Sequence, residues 1–390
     1  MIRKGVIKAV LGAALVLASM ASIGSPTQCA PKSFLLGADL SQLKMDEDAG
    51  VVYTDNGQPS DCIRIFKNHG WNMVRLRLWV NPSGQNGLVN DLAYDGALAQ
   101  RAKAAGMKVM LDIHYSDSWT DAGTQTKPAA WAADTFDTPN KLYNDVFWYT
   151  SNVVYTMAHV YHAAPDYVEV GNEITYGMLW PDGYLGAVPG KWTNWTKYAT
   201  LVNKAIEGAD RGARKAGIPF PEIIIHISMG MYWGVVDGFF SGLTSAQDIY
   251  GHPVQFDLIG LSYYPDDKTN LSDIKETLKK CADKYGKPII ICETSYQYRG
   301  TDGPNTGPYP QTPEGQASYL SKLSEAVRDT PNGLGAGVCY WEPEAVPNAV
   351  SRAFAPGGWR DSGWSALFDT ETHDANPAIA NAGESAHASR

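Results

Sequence analysis

Tyr167-Val168-Glu169-Val170-Gly171-Asn172-Glu173 reads as a short buried strand that stops on Asn-Glu. Lys287-Pro288-Ile289-Ile290-Ile291-Cys292-Glu293 has the same form, an apolar run ending on a glutamate. A parallel α/β barrel assembles its chemistry in this way, from side chains at the C-terminal ends of separate strands.

Working outward from these two runs, apolar segments predict further strands at residues 34–39, 72–80, 107–114, 222–228, 257–262 and 335–341. Helical patterns fall between them at 61–69, 91–105, 141–162, 198–216, 271–285 and 313–329. Asp61 or Ser60 is placed to cap the first of these helices, and Gly106 and Gly286 stand where helices should end. Eight strands alternating with helices make this an α/β chain of the (β/α)8 TIM-barrel class, with a single catalytic domain over residues 34–375. The stretch 376–390, rich in Ala, Asn and Ser, is expected to fray.

The first residues look like an export signal. Arg3, Lys4 and Lys8 precede an apolar run from Ala9 to Ala18, and small residues follow at Ser19, Ala21 and Ser22. Residues 1–22 are therefore expected to be removed, with 23–33 left as a linker. The run is too short for a membrane span, and no other segment approaches one. The expected location is secreted or extracytoplasmic, with no stable membrane insertion. Pro26-Thr27-Gln28 is a poor approach to a lipidated Cys29.

A net charge of -9 and the lack of a basic run beyond the N-terminus exclude a nucleic-acid surface. Five cysteines cannot all pair, and no Cys-x-x-Cys spacing suggests structural zinc. Cys292 and Cys339 lie in predicted strands and read as small buried hydrophobes. The 12 Trp and 21 Tyr suit both a core and a carbohydrate groove, because aromatic faces stack on the apolar C–H faces of sugars.

Paired carboxylates at a barrel mouth fit hydrolysis of a glycosidic bond, which needs a proton donor and a second carboxylate. Glu173 is the expected acid and then base. Glu293 is the expected nucleophile, held by Arg75 and the hydroxyl of Tyr263. A strand-end glutamate taken alone is more often a surface or salt-bridge residue. Two of them on apolar strands, with an arginine on the second strand, favour catalysis. Alternation puts Arg75 and Arg77 on one face of that strand, where they need acidic partners or a polar pocket. Asp39, Trp79 and His114 also fall at strand ends. His114 suits either a buried network or a substrate contact. Asn172 suits a helix cap or a sugar hydroxyl, and Trp341 suits a stacking floor. Asp302 and Asn305 sit in a Gly-rich loop, where they form turns or supply oxygens to calcium.

The blocks Gly37-Ala38-Asp39-Leu40-Ser41, Val74-Arg75-Leu76-Arg77-Leu78-Trp79, His114-Tyr115-Ser116-Asp117-Ser118-Trp119, Gln125-Thr126-Lys127-Pro128, Gly171-Asn172-Glu173 and Ser262-Tyr263-Tyr264-Pro265 carry a resemblance. The chain resembles the endo-β-1,4-galactanases of glycoside hydrolase family 53, from about residue 34 to about 372. Asn-Glu alone marks the larger clan of retaining barrel glycosidases; the His-Tyr-Ser-Asp and Gln-Thr-Lys-Pro blocks are more specific. The resemblance implies cleavage of β-1,4-galactan, the side chain of type I arabinogalactan in pectin, with Glu173 as acid/base and Glu293 as nucleophile. It places the clan's second-strand arginine on Arg75, its sixth-strand tyrosine on Tyr263 and its eighth-strand tryptophan on Trp341, and the expected substrate contacts are these three with Asp39, His114, Asp117, Trp119 and Asn172. No cofactor is needed for the chemistry. Bacterial members of the family carry a calcium loop after the seventh strand, which here keeps Asp302 and Asn305 but has Pro304 where a further ligand is expected. The implied partner is the polysaccharide alone, acted on by a monomer. The chain departs most from the family at Tyr232-Trp233-Gly234 and Pro343-Glu344. The competing readings are a cellulase, mannanase or xylanase of the same clan, or a silent carbohydrate-binding protein. A metal-dependent barrel hydrolase would need a His-x-His that the first strand lacks.

Overall fold

Eight parallel strands close into a barrel in which each strand pairs with its neighbours in sequence and the last returns to the first. They are β1 (Leu35–Asp39), β2 (Met73–Leu78), β3 (Lys108–Ile113), β4 (Tyr167–Val170), β5 (Glu222–Ile227), β6 (Leu258–Ser262), β7 (Ile289–Glu293) and β8 (Gly335–Trp341). The computed structural model describes residues 33–265, 270–299, 307–354 and 362–387. The expected export segment, the linker up to residue 32, Cys29, Asp302 and Asn305 lie outside the described residues. Among the described residues, no helix is long and apolar enough to cross a membrane.

Among the described residues, eight helices longer than six residues follow the strands: α1 (Cys62–Asn68), α2 (Leu92–Ala104), α3 (Leu142–His159), α4 (Trp195–Ala216), α5 (Trp233–Ser245), α6 (Leu271–Tyr285), α7 (Pro313–Arg328) and α8 (Pro377–His387). Their ends obey local rules. The Asp61 side chain accepts from the Arg64 N–H at the start of α1, and Asp91 accepts from Ala93 and Tyr94 at the start of α2. Asn270 and Asp273 form a reciprocal capping box on α6, which stops at Gly286 with φ 60°.

Two helices differ from the sequence expectation. Helix α5 occupies the stretch around Trp233 that reads as loop. Gly238 and Gly242 weaken the helical signal, yet both are needed. A Cβ at Gly242 would stand 2.1 Å from the Trp195 ring, and one at Gly238 would stand 2.9 Å from Trp192. The other is α8, in the tail expected to fray. Ala378, Ile379 and Ala382 are buried, and the Trp71 indole N–H donates to the Ile379 carbonyl at 2.9 Å. Packing, not propensity, holds this helix.

Alternation along the strands sorts the core into two parts. Outward residues such as Val74, Leu76, Val168, Ile225 and Ile291 pack under the helices. Inward residues Leu35, Met73, Met110, Tyr167, Ile224, Leu258, Ile290, Cys292 and Cys339 fill the barrel floor. Cys62, Cys281, Cys292 and Cys339 are all buried and unpaired, in keeping with the reading of Cys292 and Cys339 as small hydrophobes. Above the floor the inward positions turn polar: Arg75 and Arg77 on β2, Asp112 on β3, Glu169 on β4 and His226 on β5 are all buried.

Candidate active site

Arg75 is the centre of the polar layer. Its guanidinium donates to Asp39 (2.8 Å), Glu293 (2.9 Å), Asp112 (3.0 Å), both oxygens of Glu169 (2.8 and 3.0 Å) and the Asn172 side-chain oxygen (2.9 Å). Four carboxylates thus converge on one buried cation. A buried charge is tolerated only when it is paired and its donors are used, and here every group gains from the same guanidinium. Burial opposes ionisation of Glu169, but Arg75 and His226 outweigh it and hold this carboxyl well below the usual range. Burial and the Glu169 charge push Asp112 the other way.

Above this cluster opens a cavity of about 350 Å³ lined by Arg75, Arg77, His114, Trp119, Thr120, Asp121, Asn172, Glu173, Glu293 and Trp341. The structure therefore brings together Arg77, His114, Trp119, Asn172, Glu173, Glu293 and Trp341, all singled out from sequence, around Arg75, and the two glutamates face one space. Glu173 follows β4 with φ 47° and ψ 46°, a left-handed conformation that costs a non-glycine residue roughly 1–3 kcal/mol. Burial and the nearby Glu293 charge push its carboxyl up to about 7. Glu293 accepts from Arg75 through one oxygen and from the Tyr264 hydroxyl through the other, at 2.9 Å each.

The position of Glu293 depends on an irregularity. Counting in twos from Ile290 puts Cys292 inside the barrel and Glu293 outside. The pairing of β6 with β7 slips at this point, so that Leu261 faces Ile291 and Ser262 faces Glu293. The extra residue re-aims the side chain into the mouth.

The remaining sequence-derived residues divide. His114 uses both ring nitrogens inside the protein. Its Nδ1 accepts from the Thr120 backbone N–H (3.3 Å), so the proton sits on Nε2, which faces Asp112 at 2.9 Å. Burial and the two arginines keep the ring neutral. The Asn172 amide is spent on Arg75 and on the Thr120 carbonyl (2.8 Å), and it caps no helix. Trp119 lies edge-on to Trp341 and is stacked from below by Arg77, whose guanidinium carbon is 3.9 Å from the ring centre. Arg77 in turn donates to Glu342 (3.2 Å), so both β2 arginines have the acidic partners their pattern required. Trp79 is fully buried beneath Trp119.

Three assignments do not reach the cavity wall. Asp39 spends its carboxylate on Arg75 and Ser41. Asp117 ties two loops by accepting from the Asn81 and Ala129 backbone N–H groups. Tyr263 is fully buried and stacks on Tyr319 of α7, with ring centres 6.5 Å apart. The hydroxyl expected from Tyr263 comes instead from Tyr264. Alternation from Leu258 through Gly260 and Ser262 leads to Tyr264, so this signal was present in the strand. The sequence reading also passed over Thr120, Asp121, Asp112, Glu169 and His226. The first two lie on a loop, where no periodicity exists. The other three are visible only as inward positions of strands.

Among the described residues, Glu169, His226 and Cys292 form the one group whose ligand atoms are close enough for a metal ion, all within 4.8 Å. The group does not suit one. Glu169 and His226 are bonded to each other at 2.5 Å, and the Arg75 cation already occupies the Glu169 carboxylate.

Comparison with known proteins gives a consistent result. The sequence model of glycosyl hydrolase family 53 matches residues 35–381. The probable arabinogalactan endo-beta-1,4-galactanase A of Aspergillus terreus is 38% identical over 328 residues, covering 80% of this chain and 86% of that protein. The arabinogalactan endo-beta-1,4-galactanase A of Aspergillus niger is 34% identical over 323 residues, covering 80% and 86%. Among solved structures, the GH53 catalytic domain of Ignisphaera aggregans superposes with a TM-score of 0.75 at 30% identity, over 92% of this chain and 97% of that one. A fungal β-1,4-galactanase structure also gives 0.75, at 29% identity over 90% and 99%. A Cellvibrio japonicus xylanase, at 15% identity and a TM-score of 0.54, shares the fold alone.

Proposed function

The chain belongs to glycosyl hydrolase family 53, and from that premise we propose that it is an exported endo-acting galactanase that cleaves β-1,4-galactosidic bonds in two steps with retention of configuration. Glu293 attacks the anomeric carbon while Glu173 protonates the departing oxygen. Glu173 then takes a proton from water, which displaces Glu293 from the sugar. One observation carries this reading. Two carboxyls face the same cavity, and one is pushed up to about 7 in part by the charge of the other. A neutral acid beside a carboxylate is the division of labour the reaction needs. Arg75 and Tyr264 orient Glu293 through its two oxygens. Trp119 and Trp341 offer aromatic faces to the sugar ring.

The substrate class rests on the relatives named above and on no side chain singled out here. It is tested by incubating the protein with debranched β-1,4-galactan, glucan, mannan and xylan and following reducing ends and oligomer length. Rapid release of short oligomers from galactan alone is the expected result. Release from one of the other polymers would replace the substrate, and no release from any would favour a silent binding protein. Proton NMR of the first product should show the β anomer; an α product would discard the two-step mechanism.

Export by residues 1–22 and a monomeric state belong to the same reading. The N-terminus of the exported protein, sequenced chemically, is expected near residue 23. A calcium site at Asp302 and Asn305 is proposed on the oxygen chemistry of those side chains. If calcium binds there, chelation will lower Tm, by mass action on the folded state. An unchanged melting curve in chelator removes the ion from the loop.

A further inference from the structure

The Gln125-Thr126-Lys127-Pro128 block has no part in the mechanism above, yet it holds the segment that carries Glu173. Gln125 stands on the loop after β3 and is 2% exposed. Its side-chain nitrogen donates to the Asn172 carbonyl at 2.8 Å and to the Asp121 carbonyl at 2.9 Å. Both neighbours are carbonyl oxygens and can only accept, so the amide presents its nitrogen to them and both of its hydrogens are used. The Gln125 main-chain carbonyl accepts from the Trp180 N–H at 2.8 Å, and Thr126 forms an isolated parallel bridge with Trp180. Lys127 continues the seam, donating to Asp182 at 3.0 Å and to the Asp134 carbonyl at 2.8 Å. Gln125 therefore grips the chain on both sides of Glu173, at Asn172 before it and at Trp180 beyond it.

We propose that Gln125 is a positioning residue for the acid/base: its amide locks the Asn172–Glu173 peptide in the orientation that carries the Glu173 carboxyl into the cavity. The inference rests on the reading of Glu173 as acid/base.

The need for a lock lies in the backbone. Gly171 has φ 83° and Glu173 has φ 47°. Glycine takes such values freely, whereas a glutamate is strained by them. Rotation of the Asn172–Glu173 peptide would return Glu173 to the ordinary region. It would also turn the Asn172 carbonyl away from Gln125 and swing the carboxyl out of place. The Gln125 bond opposes that rotation directly, because the carbonyl it holds belongs to the peptide that must turn. The bond is buried, so breaking it leaves a carbonyl without its donor.

The neighbouring contacts fix other parts of the same unit. The Asn172 side chain is held by Arg75 and by the Thr120 carbonyl. The Glu173 carbonyl accepts from the Thr175 N–H at 2.8 Å. None of these bonds reaches the Asn172 carbonyl. Through Asp121, which lines the cavity with Thr120, the same amide also joins Glu173 to the wall beside it.

The test compares kcat/KM on two substrates, since this ratio reports the step that breaks the glycosidic bond. On β-1,4-galactan the departing sugar oxygen needs the Glu173 proton. On a dinitrophenyl β-galactobioside the phenolate leaves without one. Gln125→Met keeps the length of the side chain and removes its donors. On galactan its kcat/KM is expected to fall about 100-fold, the scale of a misplacement of about 1 Å, and on the aryl substrate to stay within about threefold of the parent. Azide should speed turnover of the aryl substrate by Gln125→Met, because a misplaced base activates water poorly. It attacks the anomeric carbon of the glycosyl enzyme, displaces the Glu293 carboxylate and leaves as a β-glycosyl azide. The double variant Glu173→Ala/Gln125→Met should be no slower on galactan than Glu173→Ala, because Gln125 acts through Glu173.

Equal losses on the two substrates, or an unchanged kcat/KM on galactan, would overturn the proposal. So would a double variant slower than Glu173→Ala by the full factor seen in Gln125→Met. If Gln125→Met does not fold, Gln125→Glu replaces it, keeping the shape and setting an acceptor where a donor is needed. Failure of both to fold assigns Gln125 to the scaffold and rejects the positioning role. Glu173→Ala on the same two substrates checks the premise separately. A split between substrates there, with none in the Gln125 variant, rejects the positioning role alone. No split in Glu173→Ala rejects the acid/base role and the positioning role with it.

Discussion

Glu293→Ala is expected to lower turnover of the polymer by about five orders of magnitude, the scale of losing a nucleophile whose partners act as a unit. The fold should survive. Arg75 still has Asp39, Asp112, Glu169 and Asn172 as acceptors, and the lost side chain opens onto the cavity rather than the core. The melting temperature should therefore stay within a few degrees of the parent, since its Arg75 partner remains compensated. Reducing-end assays over long incubation, beside a melting curve, decide the matter. Near-normal turnover would remove Glu293 as the nucleophile. A collapsed melting curve would show that its bond to Arg75 is structural.

Arg75→Ala is expected to act on the fold as strongly as on the reaction. It strands Asp39, Asp112 and Glu169 in the barrel interior, each at 0% exposure. Removing one partner of a buried ion pair costs about 3–5 kcal/mol, which for a chain of this size is a fall in Tm on the order of 10 °C. The pH dependence provides a second check. In the parent, Glu169 is held below its unfolded value, so its contribution is present above that value and is lost as the medium is acidified. In the variant Glu169 loses the Arg75 cation and burial raises it, as burial already raises Asp112 in the parent. Their stabilisation is then present at low pH and lost as pH rises through the raised values. The gap in Tm between parent and variant should therefore narrow toward about pH 4, near the carboxyl reference range. Arg75→Lys separates charge from geometry, because an ammonium has three donors and cannot reproduce the guanidinium fork. It should recover part of the stability and little of the activity. A variant as stable as the parent at neutral pH would mean that water, rather than Arg75, satisfies these carboxyls.

The same strand rule succeeds on β6 and fails on its neighbour β7. On β6, counting in twos from Leu258 leads through Ser262 to Tyr264, and the Tyr264 hydroxyl does meet Glu293. Reading Tyr263 as that group overlooked a parity already written in the strand. On β7 the count gives Cys292, and only the slip in pairing against β6 brings Glu293 inward. A slip of this kind depends on two strands together, so neither strand's own residues announce it. Helices α5 and α8 make the same point in packing. Gly238 and Gly242 look like helix breakers until the rings of Trp192 and Trp195 are laid against them. The alanine-rich tail looks unanchored until Trp71 bonds to its backbone.

The sequence alone gave away the eight strands, six of the helices between them, the two carboxylates at strand ends and the arginine pair on one face of β2. These are local properties, carried by hydrophobic period, caps and turn residues within a few positions. It took the tertiary structure to show that Arg75 meets four carboxylates, that Asp39 bonds Arg75 and Asp117 bonds two loop backbones outside the cavity lining, and that burial and Glu293 push the Glu173 carboxyl up to about 7. Each of these depends on charges brought together from strands far apart in the chain. Burial strengthens such interactions and removes the solvent that would screen them.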